Sequence, residues 1–253
     1  MKKTLLVLAS LGVFLNAQTL IEQQEESLIK GMIPSTKIEK IERSQVDGFY
    51  KAYLPNGNIF YLNPFKRVIF VGELYTTTGV SLTANDMEEW KNQLNNKLLK
   101  DTKIQELIQY AKKVKYGEGS NRYEFIIFTD PECPFCLRTE EFFEKENVDL
   151  YVNFFPINFH PNARKWSEQI LSSKDIKTAM KEIRESKKDL NVSISNEAKN
   201  TLENMIKLGE KLNIQGTPKL FVIDKKENKI IESIDGANIK KFQDYLAKDK
   251  NEK

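Results

Sequence analysis

Cysteine and histidine are nearly absent from this 253-residue chain, which has two of the first and one of the second. A secreted domain stapled by disulfides carries several cysteine pairs. Here Cys133 and Cys136 stand two residues apart, and a bridge between them closes too small a loop to constrain an unfolded chain. A structural zinc site takes four ligands. Cys133, Cys136, His160 and a carboxylate would be the whole supply, so neither a metal nor another bound cofactor is expected. The 39 basic residues barely outnumber the 36 acidic ones. No basic face with interleaved aromatics stands out, which argues against a nucleic-acid partner. Long apolar runs are also missing: the one at residues 5–15 falls short of the roughly 20 residues that span a bilayer. With 30% charged and 40% hydrophobic residues, the composition is that of a soluble globular protein.

What is present begins with an export signal. Lys2 and Lys3 form a charged start, residues 5–15 an apolar centre, and Leu15-Asn16-Ala17 puts a small residue before Gln18. Residues 1–17 are therefore expected to be a signal peptide, with no cysteine after it to take a lipid. The two lysines supply two of the three net positive charges, so the remainder is close to balance. Export leads to an oxidising compartment, where thiols meet disulfide-bearing proteins.

Residues 18–82 read as a small strand-rich domain. A thin stripe of Leu20, Ile21, Leu28 and Ile29 suggests a short helix over residues 18–30. Strands are expected over residues 37–43, 48–54, 59–62 and 68–74, with Pro55-Asn56-Gly57-Asn58 turning the second into the third. A unit of about 60 residues is marginal alone, and open sheet edges pair readily between chains. Dimerisation through this domain is the natural solution. Residues 83–115 then read as a linker helix, with Thr83 as N-cap and a stripe of Met87, Trp90, Leu94 and Leu98 that restarts at Ile104, Leu107, Ile108 and Ala111. If continuous, it would be about 50 Å long.

Residues 116–253 hold the chemistry. An apolar strand over residues 123–128 stops at Asp130-Pro131, Cys133-Pro134-Phe135-Cys136 follows, and residues 137–143 have a helical pattern with Phe142 and Phe143 inward. A C-x-x-C at a strand-to-helix junction is a redox motif, because a helix N-terminus stabilises a thiolate on the first cysteine. A strand over 148–155, helices over 162–212, strands over 219–223 and 229–233 and a helix over 238–248 complete the domain. The order β-α-β, helices, β-β-α is that of a thioredoxin fold with a helical insertion, an α/β arrangement within an α+β chain. In that fold the loop at Thr217-Pro218 lies against the cysteines with its proline cis. The Thr217 backbone is then free to pair with an extended peptide, and the Pro218 ring shields the thiols from metal.

Phe128-Thr129-Asp130, Cys133-Pro134-Phe135-Cys136 and Gly216-Thr217-Pro218, with Leu54-Pro55-Asn56-Gly57 and Val71-Gly72-Glu73-Leu74-Tyr75 before them, resemble the periplasmic disulfide isomerases of the DsbC/DsbG type over nearly the whole mature chain. The resemblance implies a V-shaped periplasmic homodimer whose redox-active pair Cys133-Cys136 isomerises or reduces incorrect disulfides in misfolded exported proteins. A DsbD-type membrane reductase would keep the thiols reduced. Cys133 is then the nucleophile and Cys136 the resolving cysteine, with Pro134, Phe135, Thr217 and Pro218 facing substrate. A thiol oxidase, or a chaperone with secondary redox activity, are the alternatives. Pro134-Phe135 brings no charge to Cys133 and Glu132 opposes its thiolate, which implies a less oxidising couple than that of a dedicated oxidase. The buried carboxylate that thioredoxins place six residues before the first cysteine is Ile127 here, leaving water or Glu124 to take the proton of Cys136. His160 reads as a surface or loop-packing residue, and the Asn191-Val192-Ser193 sequon as a chance match.

Overall fold

The computed structural model describes residues 23–250, so the signal-peptide reading of residues 1–17 lies outside the described residues. The chain divides into two compact units between Leu94 and Asn95. Among the described residues no helix is long and apolar enough to cross a membrane.

In the first unit, helix α1 over residues 23–32 precedes an antiparallel sheet in the order β1-β2-β3-β4. Its strands are β1 (Lys40–Arg43), β2 (Tyr50–Tyr53), β3 (Ile59–Asn63) and β4 (Val68–Phe70). Tyr53 pairs with Ile59 across the expected turn, where Gly57 takes a φ of +84° that a side chain would strain. Alternation sends Tyr50, Ala52 and Leu62 against Ile29 of α1, and Tyr53, Ile59 and Tyr61 against Trp90 of helix α2 (Leu82–Asp101). The fourth strand is shorter than residues 68–74 because the chain beyond it bonds to the start of α2: Leu74 N donates to Thr83 Oγ1 (2.9 Å) and its carbonyl accepts from Leu82 N (2.8 Å). Thr83 is thus not the cap. Ser81 is, accepting from Ala84 N at 3.0 Å.

The linker helix also needs correction. It ends at Asp101 rather than near residue 115, and an extended Lys103 (φ −97°, ψ 145°) separates it from the single turn of α3 (Ile104–Ile108). Lys112–Tyr116 is strand β5, an edge of the second unit's sheet. Val114 and Tyr116 are buried between exposed Lys113 and Lys115, a two-residue alternation that the apolar stripe just before it disguised as more helix.

The second unit is built on β6 (Tyr123–Thr129), the middle strand in the order β5-β7-β6-β8-β9. It runs parallel to β7 (Val148–Phe154) and antiparallel to β8 (Lys219–Asp224), with β9 (Lys229–Asp235) outermost. Its seven residues are all buried. Phe125 and Ile127 share a core with Phe143 of α4 (Pro134–Phe143), Trp166 of α5 (Ala163–Ser172), Ile183 of α6 (Ile176–Ser186), Leu202 of α7 (Asn196–Lys211) and Phe242 of α8 (Ile239–Lys250). Ile126 and Phe128 pack on the opposite face with Leu107, Leu208 and Phe221. Helices on both faces of a strand exclude water along its whole length, hence the unbroken apolar run. Ser195 caps α7, accepting from Ala198 N at 3.0 Å.

The carboxylate of Asp249 on α8 accepts from the backbone N–H groups of Asn121 (2.9 Å), Arg122 (2.6 Å) and Tyr123 (2.7 Å), pinning the start of β6. Asp249→Ala leaves these donors without their acceptor and should lower the free energy of urea unfolding by about 2–4 kcal/mol. Asp249→Asn, which keeps one acceptor oxygen, should lose less. A loss under about 0.5 kcal/mol for Ala would mean that water replaces the carboxylate.

Candidate active site

At the end of β6 the chain leaves the sheet and enters α4 through Cys133, which stands at the N-cap with extended backbone (φ −74°, ψ 121°) and Pro134 behind it. Proline suits the first helical position, where no N–H partner is needed. The helix therefore begins inside the motif, three residues earlier than residue 137. Phe143 is fully buried and Phe142 partly so, as its pattern implied. Both cysteines are thiols, Cys133 5% exposed and Cys136 fully buried.

The structure brings Thr217 and Pro218 to the same place. Their peptide bond is cis, as expected, and the Cys133 sulfur lies 3.5 Å from the Thr217 carbonyl oxygen, to which it donates when protonated. Pro134 and Phe135 lie on the exposed side of the motif, Phe135 with 59% of its surface in water. The Cys136 sulfur accepts from Asp130 N at 3.4 Å.

The two sulfurs differ in chemistry as they do in burial. The Cys133 thiol is brought down to about 5, chiefly by the hydrogen bond from the Cys136 thiol. The backbone N–H groups of Cys136 and Phe135 add to this against the cost of burial. Cys136 is pushed far up, by its burial first and then by the neighbouring sulfur. At neutral pH the outer sulfur is a thiolate and the inner one a thiol. The carboxylate of Glu132, expected to oppose that thiolate, is engaged by Asn162 N (2.8 Å) and Nδ2 (3.1 Å).

Three residues near the motif were given no part in it by the sequence. Asp130 is fully buried. Its Oδ1 accepts from Glu132 N (2.7 Å), and its Oδ2 from Ile157 N (2.7 Å) and pairs with His160 Nδ1 (2.9 Å). His160 is a loop-packing residue, and the loop it packs is the one bearing the motif. Burial disfavours its charged form, yet Asp130 outweighs that and raises its pKa. The third residue is Glu140, one turn after Cys136, with Oε1 accepting from Thr129 Oγ1 at 3.0 Å. Burial pushes it up to about 7. A signal existed: Cys136, Thr139, Glu140 and Phe143 form the buried stripe of α4, and a glutamate has no ordinary reason to be there.

Glu124 is not near the cysteines. It sits at the other end of β6, bonded to Lys113 Nζ at 3.0 Å, about 16 Å from Thr129 at strand spacing. Of the two routes left open for the Cys136 proton, water and Glu124, the second is ruled out.

Two family descriptions match this chain: a disulfide bond isomerase protein N-terminal domain over residues 17–84, and a thioredoxin-like domain over residues 110–249, more than half of the sequence. The chain belongs to the thioredoxin-like family. With the first match it has the domain plan of the DsbC/DsbG type, and it is a thiol-disulfide oxidoreductase. The thioredoxin-like match opens just before β5, in keeping with that strand's place in the sheet. Among solved structures, the disulfide interchange protein from Neisseria gonorrhoeae is 25% identical over 56% of this chain and 96% of its own, with a TM-score of 0.46. Proteus mirabilis ScsC in a transitional conformation is 18% identical over 66% and 89%, with a TM-score of 0.44. Pseudomonas aeruginosa DsbA2 is 19% identical over 53% and 93%, with a TM-score of 0.43. No curated protein matches.

The unequal sulfurs give a pH test. Alkylation of the reduced thioredoxin-like domain in the full chain should follow a titration centred near pH 5, read by iodoacetamide kinetics or thiolate absorbance. Cys136→Ala, which removes the first hydrogen bond, should move that midpoint up. A depressed folded pKa stabilises the reduced fold above the unfolded value near 8.5, and this contribution fades as pH falls through about 5. The Tm advantage of reduced wild type over Cys133→Ala should therefore shrink between pH 8 and pH 4. A midpoint near the ordinary thiol value would show that the hydrogen bonds do not hold the thiolate.

Proposed function

We propose that Cys133 and Cys136 form the redox centre of a periplasmic disulfide isomerase or reductase acting on misfolded exported proteins. The observation that carries this reading is the contrast between a thiolate-favouring Cys133 at the mouth of the motif and a fully buried, protonated Cys136 beneath it. The Cys133 thiolate attacks a substrate disulfide, forms a mixed disulfide and expels one substrate thiolate. Attack on that mixed disulfide by a substrate thiol gives isomerisation. Alternatively Cys136 attacks Cys133, and two electrons pass from the enzyme dithiol to the substrate.

The surroundings suit an unfolded chain as substrate. Phe135 at 59% exposure and Phe159 at 76% offer apolar surface on the motif and on its neighbouring loop, and the backbone of Thr217 is at hand to pair with an extended peptide. A homodimer is supported by the family match of the first unit. It is supported too by β4, an edge strand whose Val68, Ile69 and Phe70 are all exposed. An unprotected apolar edge is a template for a second copy. A DsbD-type membrane reductase completes the cycle by returning Cys133 and Cys136 to thiols.

Reactivation of scrambled ribonuclease under defined glutathione should be robust with wild type and largely retained with Cys136→Ser, since isomerisation needs only Cys133. No reactivation, with rapid oxidation of reduced substrate by the disulfide form, would identify a thiol oxidase instead. Aggregation suppression that survives loss of both thiols, without reactivation, would identify a chaperone. Ile69→Lys on β4 should convert a dimer into a monomer by light scattering and cut reactivation while sparing reduction of a small disulfide. A wild-type monomer would remove the dimer from the reading.

A further inference from the structure

We infer that Glu140 is the proton acceptor for Cys136, working through the hydroxyl of Thr129. The inference rests on the redox role proposed for the two cysteines and supplies the step that Ile127, in place of a strand carboxylate, leaves open.

When Cys136 attacks, its thiol must lose a proton, and a fully buried sulfur has no bulk water to take it. Asp130 N donates to the Cys136 sulfur at 3.4 Å, which sets that sulfur against the end of β6, where the neighbouring residue is Thr129. The Thr129 hydroxyl donates to Glu140 Oε1 at 3.0 Å. Cys136 and Glu140 are four residues apart on α4 and so stack on one face, and Thr129 closes the triangle from the end of β6. Thr129 is fully buried and Glu140 is 2% exposed. A hydroxyl donates once and accepts twice, so Thr129 can receive the Cys136 proton as it passes its own to Oε1, ending unchanged.

The charge environment fits the role. Among the described residues no cation forms a salt bridge with Glu140; Arg184 of α6 acts on it from a distance and is itself bonded to Glu144. Cys133 and Asp130 act against its ionisation, and Tyr116 of β5 faces the same group of charges. With burial these hold the carboxyl at about 7, where it is ionised often enough to accept a proton and basic enough to keep it. Asp130, the other buried carboxylate nearby, is already occupied by Glu132, Ile157 and His160.

The step balances. Cys136 Sγ gives its proton to Thr129 Oγ1 as Thr129 gives one to Glu140 Oε1. Cys136 Sγ then forms a bond to Cys133 Sγ, the bond from Cys133 to the substrate sulfur breaks, and the electron pair leaves on the substrate thiolate. Glu140 ends as the neutral acid and returns its proton along the same path when the enzyme disulfide is next reduced.

The test is single-turnover reduction of a fluorescent disulfide peptide by the reduced full-length protein between pH 6 and pH 9. Acid quench and mass analysis separate formation of the Cys133 mixed disulfide from its resolution by Cys136. Relative to formation, resolution at pH 7 should be roughly 10- to 100-fold slower in Glu140→Gln, with the gap closing as pH rises and hydroxide takes over. Thr129→Val, which keeps the side-chain shape without the hydroxyl, should behave alike and serves if Glu140→Gln does not fold. Resolution at the wild-type rate in these variants, or slowing by one factor at every pH, would overturn the relay. Absence of any Cys133 mixed disulfide in wild type would instead overturn the redox reading on which it rests.

Discussion

Strand β6 is held at both ends by a carboxylate taken out of water. Asp249 gathers three backbone N–H groups at its start, and Asp130 gathers two N–H groups and the His160 ring just past its end. A buried carboxylate is tolerated only when its oxygens are satisfied, so each fixes several peptide groups at once. Between these anchors every residue of the strand is buried. The consequence is positional. Cys133 enters α4 from a strand that cannot slide, and Asp130 ties that entry to the loop after β7, where Phe159 and His160 stand.

From that fixed junction the difference between the sulfurs follows. One residue at the helix N-cap receives N–H groups with no partner inside the helix. Another, three residues on, points inward with Phe143. The same short motif therefore offers one sulfur a ring of donors and the other a nearly dry pocket. No charged side chain is needed in the Pro134-Phe135 dipeptide for this to work. Cys133 at about 5 lies between the values of about 7 and 3.5 that mark a reductant and a strong oxidant of this fold. Its thiolate is held chiefly by hydrogen bonds.

Where local pattern and tertiary packing ask for the same thing, the residues announce the structure. The Pro55–Asn58 turn and the motif at the strand-to-helix junction belong to this class, while the cis bond before Pro218 follows from the fold that the motif implies. The stretch from Ile104 to Tyr116 belongs to the other. Its helical stripe runs straight into a two-residue alternation, and only pairing with β7 decides that the latter is a strand. Thr83 is the cap expected from the sequence; Leu74 N takes its hydroxyl instead, and Ser81 caps the helix. Asp130 looked like a turn residue because its partners are 27 and 30 positions away.

The departure at Ile127 shows how such a site can be rebuilt. Filling that strand position with an apolar side chain deepens the core on one face of β6, where Ile127 packs with Phe125 and Phe143, and removes an acid from the sheet. A buried thiol still has to be deprotonated, and a helix passing the same pocket can carry the group instead. The cost of a buried carboxyl is then met on α4, where Glu140 has the Thr129 hydroxyl as donor and a shifted pKa in place of a counter-ion. A carboxyl near neutrality is tolerable there because it spends much of its time uncharged. That is also the condition under which it can exchange a proton with a thiol, so the packing requirement and the chemical one select the same protonation balance.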